Sequence, residues 1–202
     1  MMILRSTPPS PYARKVHIAI GLLGLEGEVE VQATDLNDDS DTIRTQNPLG
    51  KVPALIVEDG TVYYDSRVIL EYLDQRAGGG RIIPREPDAR FAALRLQALV
   101  DGIMDASLLQ IYEVRYRPEE RREPSWVARQ AEKVRRGLAM LEAAPPPIGA
   151  MPNVGHIALA CALGYGDLRF DGAWRKDYPR LVAWLDDFAA KVPAFAETKA
   201  AA

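Results

Sequence analysis

Apolar and polar positions along the chain change period part-way through, and the change divides it into two halves. Met2 to Arg5 is a short apolar run suited to a buried strand, closed by the breaker cluster Thr7-Pro8-Pro9-Ser10-Pro11. From Tyr12 the period lengthens: Val16, Ile20 and Leu23 recur at helical spacing with Arg14 and Lys15 between them, which predicts a helix to about Leu25. Ser10 is a favoured cap and Pro11 a favoured first helical residue. Glu28-Val29-Glu30-Val31-Gln32 then alternates with period two, so the opening reads as a βαβ unit with parallel pairing. A short helical segment around Asp41 to Thr45 leads to two β-rich runs, Val52 to Val57 and Thr61 to Tyr64. The Asp59-Gly60 pair between them predicts a type I′ hairpin, in which both central residues take positive φ. A helix from Ser66 to about Arg76, with Val68, Ile69, Tyr72 and Leu73 as its apolar face, closes this half as β-α-β-α-β-β-α.

Residues 77–87 hold Gly78-Gly79-Gly80 and two prolines, a composition that suits an exposed connection between domains. Beyond it the pattern is helical: Asp88 to about Tyr116, Trp126 to about Ala143, Asn153 to about Leu168 and Tyr178 to about Lys191. Arg115 to Pro124 reads as a charged surface loop, and Lys199 to Ala202 as a frayed tail. The expected organisation is a domain over 1–76, a linker over 77–87 and an all-helical domain over 88–202.

Composition narrows the chemistry. Of 202 residues 25 are basic and 28 acidic, dispersed along the chain, so no basic stripe points to nucleic acid or to an anionic membrane. Charges interrupt every hydrophobic run short of the ~20 residues of a membrane span. The opening MMILRSTPPSP is too short for a secretory apolar region, and a cytoplasmic protein is expected. Cys161 is the single cysteine, so no intrachain disulfide forms. With His17 and His156 the only histidines and no HExxH spacing, no metal is expected.

Three ordered motifs carry a resemblance: Ser10-Pro11-Tyr12-Ala13-Arg14-Lys15-Val16, then Asn47-Pro48-Leu49-Gly50-Lys51-Val52-Pro53-Ala54-Leu55, then Asp65-Ser66 opening a helix. Together they resemble the glutathione transferase superfamily, in particular small bacterial members with serine at the reactive position. Asn153 to Tyr165 resembles the core helix of the family's second domain, so the likeness spans essentially the whole chain. It implies an α/β plus all-α fold: a thioredoxin-like N-terminal domain that binds glutathione as co-substrate, and a helical bundle that helps form a second-substrate pocket.

The resemblance makes Ser10 the residue that stabilises the glutathione thiolate; the plain reading of the same serine is a helix N-cap, and the two are compatible. A thiol with pKa near ~8.5 needs about 1.4 kcal/mol of preference for its anion per unit of lowering. A hydroxyl donating to a charged acceptor supplies about 1.5–3 kcal/mol, and a helix N-terminus about 0.3–1. Ser6 and Thr7 are hydroxyl alternatives nearer the strand end. By the same resemblance the Val52-Pro53 bond is cis and the main chain of Val52 pairs with the tripeptide; an ordinary trans proline at a strand edge is the alternative. Ser66 caps its helix and offers its N–H to the γ-glutamyl carboxylate, while Asp65 accepts from the α-ammonium. Lys51 and Arg14 are candidate carboxylate partners, with solvated surface positions as the alternative. Pro9, Tyr112, Arg115 and Tyr116 are expected at the second-substrate pocket, as are Tyr165 and Arg169; side chains at this helical spacing also serve as packing.

Two departures stand out. Where the family often has a Ser/Thr cap with Asp three positions later, this chain has Asn153 and His156, and His lacks a carboxylate's interaction with the helix dipole. The loop Asp35 to Ser40 is heavily acidic and would repel an anionic ligand unless directed away. Cys161 reads as an inert core thiol. The expected activity is conjugation of glutathione to small hydrophobic electrophiles by a homodimer. The alternatives are glutathione-dependent peroxide reduction or isomerisation, or a non-catalytic binding module.

Overall fold

The computed structural model of the protein describes residues 1–200; Ala201 and Ala202, the end of the tail expected to fray, lie outside them. The first half runs β1 (Met2–Ser6), α1 (Pro11–Leu23), β2 (Val29–Ala33), α2 (Ile43–Gln46), β3 (Ala54–Ile56), β4 (Val62–Tyr63) and α3 (Ser66–Arg76). The sheet order is β2-β1-β3-β4, with β1 parallel to β2 and β3 antiparallel to both β1 and β4. Central β1 contributes Met2 and Leu4, both fully buried, and α1 lies against α3. This is a thioredoxin-like domain.

The hairpin differs from expectation. Gly60 takes φ 85°, but Asp59 is not left-handed, and the turn closes through Gly60 N–H to Val57 O (2.9 Å) and Val57 N–H to Thr61 O (2.9 Å). The loop is therefore three residues long, with only its last residue in the left-handed region, which Asp-Gly satisfies by the glycine alone.

The second half is helical: α4 (Pro87–Tyr116), α5 (Pro124–Ala143), α6 (Val154–Arg169), α7 (Pro179–Lys191) and α8 (Pro193–Glu197). Five of the helices, α1, α4, α5, α7 and α8, open on proline, whose missing N–H costs nothing in a first turn. This is why the starts of α1, α4 and α5 read from apolar periodicity fall one or two residues late, while that of α7, read from Tyr178, falls one early. The apolar run of α6 is buried on all sides, between α4 and α1. No helix among the described residues is long and apolar enough to cross a membrane.

The segment between α3 and α4 is not the exposed connection its composition suggests. Ile82 and Ile83 are buried, and the buried Asp74 carboxylate accepts from the N–H groups of Gly80 (2.7 Å), Arg81 (3.0 Å) and Ile82 (2.8 Å). Positive φ at three successive glycines (97°, 74° and 78°) wraps the chain around that carboxylate.

The cap of α6 is also complete despite the unusual residues. Asn153 Oδ1 accepts from the N–H of Gly155 (3.0 Å) and His156 (3.1 Å), while Asn153 N–H donates to His156 Nδ1 (3.1 Å). A neutral imidazole thus replaces the carboxylate as the returning acceptor. Burial pushes the His156 pKa down, which keeps the ring in the form this bond needs.

Candidate functional site

A cleft of about 290 Å³ lies where the two domains meet, lined from one side by the start of α1, the loop before β3 and the start of α3, and from the other by α4 and α6. The turn Thr7-Pro8-Pro9 delivers Ser10 to its edge, with Ser10 N–H bonded to Thr7 O (3.1 Å) and Ser10 itself extended (φ −77°, ψ 116°). Its Oγ accepts from Ala13 N–H at 3.2 Å as the cap of α1. Capping uses only the acceptor capacity of the hydroxyl; its proton remains to donate into the cleft.

The other hydroxyls near β1 divide. Thr7 lines the cleft, but Ser6 is buried and pairs with His17 Nε2 at 2.8 Å, facing the interior of the domain.

Asn47 builds the loop that supplies Lys51, Val52 and Pro53. Its Oδ1 accepts from Leu49 N–H (3.1 Å), its Nδ2 donates to Lys51 O (2.9 Å), and Gly50 turns left-handed at φ 58°. The Val52-Pro53 peptide is cis, as is Tyr64-Asp65. The cap of α3 is Asp65 rather than Ser66: Asp65 Oδ1 accepts from Arg67 N–H at 2.9 Å, and Ser66 is the first helical residue, buried, with a main-chain N–H among the unpaired donors of the first turn. An aspartate fits the cap position because its ionised oxygen both accepts that bond and meets the positive helix end.

Across the cleft stand Leu108, Tyr112 and Arg115 from α4 and Tyr165 and Arg169 from α6. Tyr116 does not reach it. It is exposed and packs edge-on against Tyr112, ring centroids 5.0 Å apart, because it lies one residue, about 100° of helix rotation, beyond the cleft residue Arg115. Tyr12 and Asp105 also line the cleft and join across the domain interface by a hydrogen bond from the phenol to the carboxylate. Burial first, and then Asp105, push the Tyr12 pKa well above its ordinary value, so the phenol keeps its proton. Neither residue stands out in the sequence, since they lie 93 positions apart.

Arg14 is not a free surface cation. It is buried and turned to the far end of the chain, donating to Phe195 O (2.6 Å) and Thr198 Oγ1 (3.3 Å) and lying 4.1 Å from the centre of the Phe195 ring. It lines a neighbouring recess that also holds Cys161, whose thiol burial pushes up to about 12. The acidic loop is likewise turned to its own partners. Asp35 accepts from Asn37 N–H (2.9 Å), Asp38 accepts from Ser40, Asp39 pairs with Arg44 at 3.5 Å, and only Leu36 of this loop reaches the cleft.

Comparison with known proteins matches this arrangement. Residues 9–76 fit the model of the glutathione S-transferase N-terminal domain, and residues 124–187 that of the C-terminal domain. The uncharacterized GST-like protein YibF of Escherichia coli (strain K12) is 33% identical over 195 residues, 94% of each chain. Among solved structures, a glutathione transferase family member from Pseudomonas fluorescens Pf-5, with bound glutathione, is 41% identical with a TM-score of 0.92 over the full length of both chains. A glutathione S-transferase from Methylobacillus flagellatus KT, also with glutathione bound, is 34% identical with a TM-score of 0.93, again over the full length of both. Matched at both domains by the family models and along nearly its whole length by these relatives, the chain belongs to the glutathione S-transferase superfamily.

Proposed function

We propose that the protein is a glutathione transferase that joins the glutathione thiolate to small hydrophobic electrophiles. The observation that carries this is the double use open to Ser10: its oxygen caps α1 while its proton is free at the cleft edge. Donation of that proton to the thiol sulfur stabilises the anion by about 1.5–3 kcal/mol, and the start of α1 adds about 0.3–1. At about 1.4 kcal/mol per unit, this lowers the thiol pKa by about one to three units, enough to make thiolate the main form near neutral pH.

In this reading the main chain of Val52 pairs with the cysteinyl part of the tripeptide, Lys51 meets a carboxylate, and Asp65 with the N–H of Ser66 holds the γ-glutamyl end. The free oxygen of Asp65 and the unpaired first-turn donor of α3 support that assignment. Glutathione bound to two full-length relatives supports the same ligand. Pro9, Tyr112, Arg115 and Tyr165 form the wall for the electrophile. Large apolar side chains left exposed, Val68 on α3 and Phe91 on α4, support a twofold homodimer in which they are covered.

The test is Ser10→Ala. Glutathione binding by calorimetry should persist, thiolate absorbance of the complex at neutral pH should be lost, and turnover of an aryl chloride should fall roughly tenfold to a hundredfold, one to two units of thiol pKa. Full turnover with unchanged absorbance would remove Ser10 from the chemistry, and glutathione binding by a wild-type protein that turns over no electrophile would leave a binding module.

A further inference from the structure

Two guanidinium groups on the electrophile side of the cleft have no anion to hold among the described residues. Arg115 from α4 and Arg169 from α6 both line it, on the wall opposite Lys51, Asp65 and Ser66. Arg169 Nε is buried with no hydrogen-bond partner among the described residues. The neighbouring cations are already engaged: Arg117 with Glu113 (3.3 Å), Arg67 with Asp101 (2.7 Å) and Arg175 with Asp167 (2.6 Å). Of the carboxylates at the cleft, Asp105 is engaged by the Tyr12 hydroxyl, and Asp65 stands at the cap of α3 on the opposite wall. The buried Tyr165 lines the cleft with the two arginines. Its phenol is pushed up by burial, while the charges of Arg169, which also donates towards it, and of Arg115 oppose that rise. Tyr112, Leu108 and Pro9 supply flat and apolar surface beside it.

Arg115 is exposed and Arg169 half-buried; a half-buried guanidinium with an unsatisfied N–H and no counter-anion gains when an anion arrives, and the planar fork of each matches a carboxylate. We infer that this subsite selects electrophiles with a compact apolar body and a carboxylate, the carboxylate being held by Arg115 and Arg169. The inference rests on the reading of the cleft as a glutathione conjugation site and names its second-substrate class. For a chloro-nitrobenzoate, the thiolate sulfur forms a bond to the chlorine-bearing ring carbon, the carbon–chlorine bond breaks and chloride leaves with the bonding pair. The thiol proton has already passed to solvent, and nothing is oxidised or reduced.

The test separates binding from turnover. Calorimetry on the wild-type protein compares S-carboxymethyl-glutathione with S-carbamoylmethyl-glutathione, adducts of the same shape that differ by one charge, with S-methylglutathione as reference. The acid should bind about tenfold more tightly than the amide; Arg169→Met should reduce that ratio to about threefold and the Arg115→Met/Arg169→Met pair to near one. Equal affinities in the wild type, which need no variant to fold, or a ratio that survives both replacements overturns the inference. Absence of heat from all three ligands overturns it together with the glutathione reading. The expected ratios, combined with no turnover of either 4-chloro-3-nitrobenzoate or its methyl ester, would sustain the carboxylate subsite and sink conjugation alone.

Discussion

Lys15 Nζ lies 2.6 Å from Asp101 Oδ1, and the two side chains are 0% and 1% exposed. The second oxygen of Asp101 takes Arg67 Nε at 2.7 Å, so one carboxylate on α4 ties α1 and α3 of the thioredoxin-like domain to the helical domain. Breaking such a buried pair by removing one member leaves the other charged and unsolvated, at about 3–5 kcal/mol. Asp101→Asn is therefore expected to lower the urea midpoint by the equivalent of about that much at unchanged m value. Lys15→Met should cost less, because Arg67 still holds the carboxylate.

Stability should fall on mild acidification. Burial lowers the pKa of His156 and of His17 in the folded chain. As pH drops through the ordinary histidine range near ~6.5, the unfolded chain takes up protons that the folded chain refuses, and stability is lost at up to about 1.4 kcal/mol per pH unit for each ring. The contribution is complete above that range and fades below it. Unfolding free energies measured by urea from pH 7.5 to 5.5 should show this slope, and His156→Gln should flatten it by about half.

Asp74→Ala should be among the most damaging single replacements. It strips three main-chain N–H groups of a charged acceptor; at about 1.5–3 kcal/mol for each such bond, a loss of at least about 3 kcal/mol in unfolding free energy is expected. A loss below about 1 kcal/mol would mean that solvent replaces the carboxylate without difficulty.

Cys161 should be silent in the native state. A thiol pushed up to about 12 inside α6 has almost no thiolate at pH 8, and its own surface is buried at the floor of the recess beside Arg14. A disulfide reagent should titrate close to no thiol per chain under native conditions and one after denaturation; rapid native labelling would place the residue nearer solvent than its packing allows.

The contrast between Asp74 and the motif residues explains what is readable in the chain. The βαβ opening, the long helices and the cleft residues Ser10, Lys51, Val52, Pro53, Asp65 and Ser66 lie in continuous segments whose period or motif carries the signal. Asp74 instead looks like a polar residue late in a helix; only the return of Gly80 to Ile82 around it makes it central. Tyr12 with Asp105, and Arg14 with Phe195, are joined by packing between distant segments, which no local pattern encodes. His156 shows the converse: the position of an acceptor was legible, but not that an imidazole nitrogen serves there. Tyr116 misses the cleft because it lies one residue, about 100°, round the helix from Arg115, although it still packs on Tyr112.

The clamp of Arg14 on the last helix bears on how the polypeptide comes off the ribosome. Its acceptor, Phe195 O, is 181 positions downstream, and the counter-ion of the adjacent Lys15 is 86 positions downstream. Synthesis is vectorial, so α1 emerges long before either contact can be made, and the surroundings of Arg14 stay incomplete until residue 195 has been made. A fragment ending at residue 76 would keep its strands but leave both cations and the apolar groups around them wet, which makes the thioredoxin-like half a dependent partner of α4 and α8 and not a module to be expressed by itself.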